Sequence, residues 1–136
     1  VIIAINPAKQ FAQARNAQRT ANVNAILNAV GQRIADNKGV YEGTFATTNH
    51  CDAIPASPGA AVTDTMGTAA TGNTSGNLGC LVPTYIPAMP AEPMGTGAGI
   101  SQYSIELLGN GRITVCAPEA ADETAIPDAV TICVTR

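Results

Sequence analysis

From Pro7 to about Asn37 the chain runs without a second proline and with one glycine, Gly31. Ala, Gln, Arg, Leu and Lys dominate this stretch, and most of them favour helix. Val23, Ile26, Leu27, Val30 and Ile34 recur at steps of three, one, three and four, which places an apolar stripe on one helical face. Asn6-Pro7 supplies a cap followed by proline at the first helical position, where its missing N–H costs nothing. The same pair also fits a kink within a helix that began upstream. Lys38-Gly39 places a cation near the last turn and a glycine where the chain must leave. The spacing predicts one helix of about 31 residues, roughly 46 Å at ~1.5 Å per residue.

That length constrains everything else. A compact chain of 136 residues has a radius of gyration near 14 Å and a diameter of roughly 36 Å. The rod therefore outreaches the body. Its second half carries the aliphatic stripe and is expected to pack on a core. In the first half Phe11 is the one large apolar residue, among Ala8, Ala12, Ala14, Ala17 and Ala21. A surface of small side chains lets another helix approach closely, so Phe11, Ala14, Ala17 and Ala21 form the expected assembly face.

Charge is sparse and uneven. Residues 1–38 hold five basic residues and one acid, net +4, whereas residues 39–136 hold two basic residues and nine acids, net −7. Two readings are open: a solvated basic helix beside an acidic body, or a basic helix that meets the acidic body of another copy. The overall charge of −3 argues against a nucleic-acid binder, which needs a basic footprint.

The middle of the chain, residues 46–80, is rich in Gly, Ser and Thr and is bracketed by Cys51 and Cys80. With Cys116 and Cys133 the cysteines number four, widely spaced and with no C-x-x-C pair, which favours two disulfides in an oxidising compartment over a zinc site. A Cys51–Cys80 bridge would close a loop of about 30 residues, contributing on the order of 3–4 kcal/mol in the chain-entropy model. Farther on, Pro87, Pro90 and Pro93 are spaced by three, the repeat of a polyproline II turn, and predict an extended strap across the domain.

The last third alternates. Tyr103, Ile105 and Leu107 interleave with Ser104 and Glu106, then Gly109-Asn110-Gly111 turns the chain, and Ile113 and Val115 flank Thr114. A further strand carries Val130, Ile132 and Val134 against Thr131 and Thr135. Cys116 and Cys133 share the phase of the threonines, opposite the Ile/Val face, as a cross-strand bridge requires. The favoured pairing is Cys51–Cys80 with Cys116–Cys133, one of three that four cysteines allow.

Candidate chemistry is thin. The sequence has no G-x-S-x-G motif, and its single histidine, His50, stands beside a cysteine expected to be bridged. A surface loop residue is the favoured reading of His50 over a general base. Gly95-Thr96-Gly97-Ala98-Gly99 lacks the strand-to-helix context of a phosphate loop, and Asn73-Thr74-Ser75 matches the short glycosylation pattern. Asp122, Glu123 and Asp128 could gather a calcium ion, against the plainer reading of three acids in a solvated loop. The chain is expected to need no cofactor and to be no enzyme.

Taken in order, these features resemble the type IV pilins and the type II secretion pseudopilins. They are the apolar run Val1-Ile2-Ile3-Ala4-Ile5, Asn6-Pro7, the long Ala/Gln/Arg helix, a variable loop, and a cysteine-bracketed sheet. The strap Tyr85-Ile86-Pro87-Ala88-Met89-Pro90-Ala91-Glu92-Pro93 resembles the "Y-I/L-P-x-x-P-x-D/E-P" segment of many such proteins, and Gly109-Asn110-Gly111-Arg112-Ile113-Thr114-Val115 resembles their sheet. The family's leader and its roughly 20-residue hydrophobic helix with an early glutamate are missing here, which would make this a truncated or processed form.

The resemblance implies one α+β domain over residues 1–136, with a helix over 1–38, a variable, disulfide-closed loop region over 39–101 and an antiparallel sheet of three to four strands over 102–136. It implies a bacterial surface filament, an inner-membrane stage before assembly, a methylated N-terminus in the full-length form, a homo-oligomer joined through the helix, and no catalytic residue. The alternative expectation is a secreted adhesion or ligand-binding module, or a minor adhesive pilin, that uses the 46–80 loop.

Overall fold

The computed structural model describes residues 6–45, 49–51, 53–56, 60–63, 76–81, 84–88, 90–94 and 103–136. Helix α1 runs unbroken over Pro7–Asp36, 30 residues or about 45 Å. Asn6 is extended, with φ −87° and ψ 99°, and its side chain accepts from the Lys9 N–H at 3.3 Å. It therefore caps the described helix. At the other end the Gly39 N–H reaches back to the Ile34 carbonyl at 2.8 Å, closing a Schellman turn. The left-handed position just past the C-cap falls on Lys38, at φ +56°, ahead of Gly39 at +91°. The sequence signal located this exit correctly but assigned the special backbone to glycine alone.

The seven strands among the described residues are β1 Gly43–Phe45, β2 Asn49–Cys51, β3 Ala60–Thr63, β4 Gly76–Asn77, β5 Ser104–Leu107, β6 Ile113–Ala117 and β7 Ile132–Thr135. Strands β5, β6 and β7 make the expected antiparallel meander, in which Ile105 faces Val115 and Val115 faces Val134. Leu108 and Arg112 close the hairpin at 2.8 Å, and Gly111 takes φ +83° in its turn. Val130 lies outside β7 and is 71% exposed, so the third strand is shorter than its alternation suggested.

The region over 39–101 is more than loop. Strand β3 pairs antiparallel with β5, and β4 pairs parallel with β3, giving a five-stranded sheet in the order β4-β3-β5-β6-β7. Strands β1 and β2 form a separate antiparallel ribbon. These segments are two to four residues long, too short to carry a period of their own; the edge of β5 supplies partners to β3 and β3 to β4, while β1 and β2 pair with each other.

Helix α1 lies across β6 and β7. Val23, Ile26, Leu27 and Val30 are buried against Ile105 and Val115, while Ile34 is half-buried at the margin of the core. Both expected disulfides are present. Cys51–Cys80 ties β2 to a 3-10 turn over Gly79–Leu81 inside the core, with Cα atoms 5.2 Å apart. Cys116–Cys133 joins directly opposed residues on the outer face of the sheet, at 4.1 Å. Beside it the Thr114 and Thr135 hydroxyls meet at 2.7 Å. The proline segment is not one uniform extended strap: it turns at 84–85, bends at 87–88 and turns again at 93–94. Ile86 and Glu92 are its buried anchors.

Candidate assembly surface

The first half of α1 has two unlike faces. Continuing the core stripe toward the N-terminus at steps of three and four leads from Val23 to Arg19, Arg15 and Ala12. Arg19 and Ala12 are fully buried and Arg15 is partly buried. Arginines thus replace aliphatic side chains on the inward face, and two carboxylates from distant parts of the chain meet them.

Glu123 follows the 3-10 helix Pro118–Asp122, which carries it to the helix. Arg15 donates to it in a fork, Nε to Oε1 at 2.7 Å and Nη2 to Oε2 at 2.6 Å. Arg19 Nη1 donates to the same Oε1 at 2.5 Å. The other edge of the Arg19 guanidinium holds Glu92 from the proline segment, Nε to Oε1 at 2.9 Å and Nη2 to Oε1 at 2.5 Å. Asn16 Oδ1 accepts a further bond from Arg19 Nη1 at 2.8 Å, and the Met94 N–H donates to Glu92 at 3.3 Å. Two planar forks matched to two carboxylates suit arginine, which stays charged on burial where lysine would not.

A buried ion pair is favourable only when its remaining donors and acceptors are satisfied. Among the described residues no buried side-chain nitrogen or oxygen lacks a partner. The Arg15 fork is the main cause holding the Glu123 carboxyl at about 2, against an ordinary 4.5, and Arg19 adds to it while burial opposes it. For Arg19 burial works against the charge, but hydrogen bonds to Glu92 and Glu123 outweigh it and the pKa is raised. Next along the helix, Asn22 donates to the Tyr103 hydroxyl at 2.7 Å and to the Ala91 carbonyl at 3.2 Å. Burial raises the Tyr103 pKa.

This network changes two expectations. The charge asymmetry is resolved in part within one molecule, where Arg15 and Arg19 of the basic helix meet Glu92 and Glu123 of its own acidic body. Glu123 is buried in an ion pair, whereas Asp122 and Asp128 are exposed. The three do not gather, and among the described residues no group of three His, Cys, Asp or Glu side chains could hold a metal ion. The signal that would have found the clamp is the pair Arg15 and Arg19, one turn apart and in phase with Val23. A charge in phase with a buried stripe calls for a buried partner.

The opposite face is bare. Ala14, Ala17 and Ala21 are exposed, Phe11 is 67% exposed, and every residue from Pro7 to Phe11 stands in solvent. The expected assembly residues therefore do lie on the outer side, whereas Ala12 turns inward. The uncovered length is one end and one face of the helix, not its whole first half.

His50 sits in β2, paired with Thr44, and its side chain lies outside the described residues. So do the glycine-rich segment 95–99 and the tripeptide at 73–75. Among the described residues no helix is long and apolar enough to cross a membrane. No protein-family model, no curated protein and no solved structure matches this chain.

Proposed function

We propose that this chain is a structural subunit of an extracellular filament of the type IV pilin kind, joined to neighbouring copies through the outer face of α1. The observation that carries the reading is the bare side of that helix. Ala14, Ala17 and Ala21 lie in the open opposite a fully satisfied inner face, at the end where Phe11 is 67% exposed. Small side chains permit close helix approach, and a large exposed aromatic at one end of such a face is a place for a neighbour to cover. Arg15 and Arg19 hold this half of the helix against the body, so the face is presented on a rigid rod. The two disulfides suit an exported protein.

The test is electron microscopy of the fraction sheared from the surface of cells that make the full-length protein. Fibres labelled by an antibody to this chain are expected from the natural sequence. Ala17→Arg and Ala21→Arg, each on the solvent side, should leave the urea midpoint unchanged and abolish the fibres. Normal fibres from both variants, or a chain found only as free monomer, would refute the proposal.

A further inference from the structure

The two disulfides differ in what surrounds them. Cys51 and Cys80 lie inside the core, where the Tyr41 hydroxyl comes within 3.4 Å of the Cys80 sulfur. Cys116 and Cys133 lie on the face of the sheet turned away from α1, Cys133 exposed and Cys116 half-buried. They are also at its margin, since β7 ends the sheet among the described strands. Ile113 and Arg136 exchange both backbone bonds, at 2.8 and 2.9 Å. Alternation along the ladder makes Cys116 and Cys133 a pair with no backbone bond between them, so the bridge itself joins the strands at that point. Thiol–disulfide exchange requires a thiolate to reach one sulfur, and its rate follows access. The outer bridge is open to such attack and the core bridge is not.

The outer bridge also closes the loop that carries Glu123. From Cys116 the chain enters the 3-10 helix Pro118–Asp122, which buries Glu119 and Ala120, and then delivers Glu123 to Arg15 and Arg19. The return limb, residues 124–131, buries nothing, and Thr124, Pro127, Asp128, Val130 and Thr131 are exposed. A turn at its start, from the Ile126 N–H to the Glu123 carbonyl at 3.1 Å, is local. A limb with so little packing keeps its place only while both of its ends are fixed. One end is the clamp at Glu123; the other is Cys133 and its strand.

We propose that Cys116–Cys133 is a thiol-exchange site for a dithiol, and that opening it loosens the hold of Glu123 on α1. A thiolate of the dithiol attacks the exposed Cys133 sulfur and forms a mixed disulfide. Cys116 leaves as a thiolate and takes up a proton. The second thiol of the dithiol, on losing its proton, displaces Cys133, which is protonated in turn. The protein disulfide thus gains two electrons and two protons, and the dithiol becomes a disulfide. Glu123 is then left on a loop tethered less firmly at its far end, and its fork to Arg15 is no longer held in one geometry. Both parts act within one molecule, independently of whether copies assemble.

The test begins with the folded chain at neutral pH, without denaturant, treated with dithiothreitol and then iodoacetamide and read by peptide mass spectrometry. Label should appear on Cys116 and Cys133 while Cys51 and Cys80 stay joined, with the far-ultraviolet circular dichroism unchanged. The link to the clamp is read by a double-mutant cycle in urea at pH 7, between Glu123→Gln and the pair Cys116→Ala with Cys133→Ala. With the bridge closed Glu123→Gln should raise the unfolding constant about 30-fold, and with it open only about threefold. A bridge that merely restricts the unfolded chain would leave the effect of Glu123→Gln the same in both backgrounds. That equality would overturn the proposal. So would label on the core pair first, on all four cysteines together or on none, or loss of the fold in the reduced or bridgeless chain.

Discussion

Replacing Glu123 by Gln keeps the shape of the side chain and removes its charge, so it isolates what the ion cluster contributes to stability. The folded carboxyl titrates at about 2, against 4.5 for the ordinary group. Each unit corresponds to ~1.36 kcal/mol, so the shift sets a ceiling of about 3 kcal/mol. Water reaches the Arg15 side, whose side chain is 31% exposed, and screening lowers the expected contribution to about 2 kcal/mol. Above pH ~5 the carboxylate is ionised in both the folded and the unfolded chain and the full contribution is present. As pH falls, the unfolded chain takes up the proton near 4.5 while the folded one resists to about 2, so stability is lost across that interval. Urea unfolding at a series of pH values reads this directly. At pH 7 Glu123→Gln should be less stable by about 2 kcal/mol, and the gap to the natural chain should close as pH approaches 2. Parallel curves for the two chains from pH 7 to 2.5 would refute the reasoning, because they would mean that Glu123 ionisation is not coupled to folding. Arg19→Met should be worse at neutral pH, by about 3–5 kcal/mol, since it leaves two carboxylates near one partly exposed arginine.

Further substitutions probe the rest of the framework. Lys38→Gly should stabilise by about 0.5–1 kcal/mol in thermal or urea unfolding, because Lys38 occupies left-handed backbone at φ +56° that glycine adopts without strain. Ile26→Ala, at a fully buried site, should cost about 3–4 kcal/mol, and Ile34→Ala at the half-buried margin about half as much. Removing Cys51–Cys80 as a pair of alanines should destabilise by about 3–4 kcal/mol and removing Cys116–Cys133 by about 3 kcal/mol, following their separations of 29 and 17 residues. The first pair is buried and the second lies on the open face of the sheet, so the first loss should exceed the second by more than loop length alone accounts for.

How much of this was legible beforehand depended on the range over which each signal acts. The cap at Asn6, the helix exit near Gly39 and the stripe from Val23 to Ile34 are local patterns with a period of 3.6, and the structure has them where the residues put them. The same holds for the hairpin about Asn110, where alternation with a period of two also fixed that Cys116 and Cys133 would share a face. The clamp was not legible in this way. Arg19 meets Glu92 and Glu123 across 73 and 104 residues, and no spacing rule links them. The calcium reading of Glu123 failed for the same reason: the sequence showed three nearby acids, but not that the short 3-10 helix before Glu123 turns one of them inward.

The sequence by itself determined the rod, the side of it that is apolar and the three-stranded meander, because each follows from the geometry of a single element repeating along the chain; the pairing of the cysteines it only favoured, and the structure has that pairing. Only the tertiary structure decided which acids neutralise Arg15 and Arg19, that β3 and β4 extend the sheet at its open edge, and how much of α1 stays bare. Those outcomes depend on which groups come within a few ångströms after the chain has closed on itself. Electrostatic and hydrogen-bond partners are chosen by that distance in space, which sequence separation does not encode.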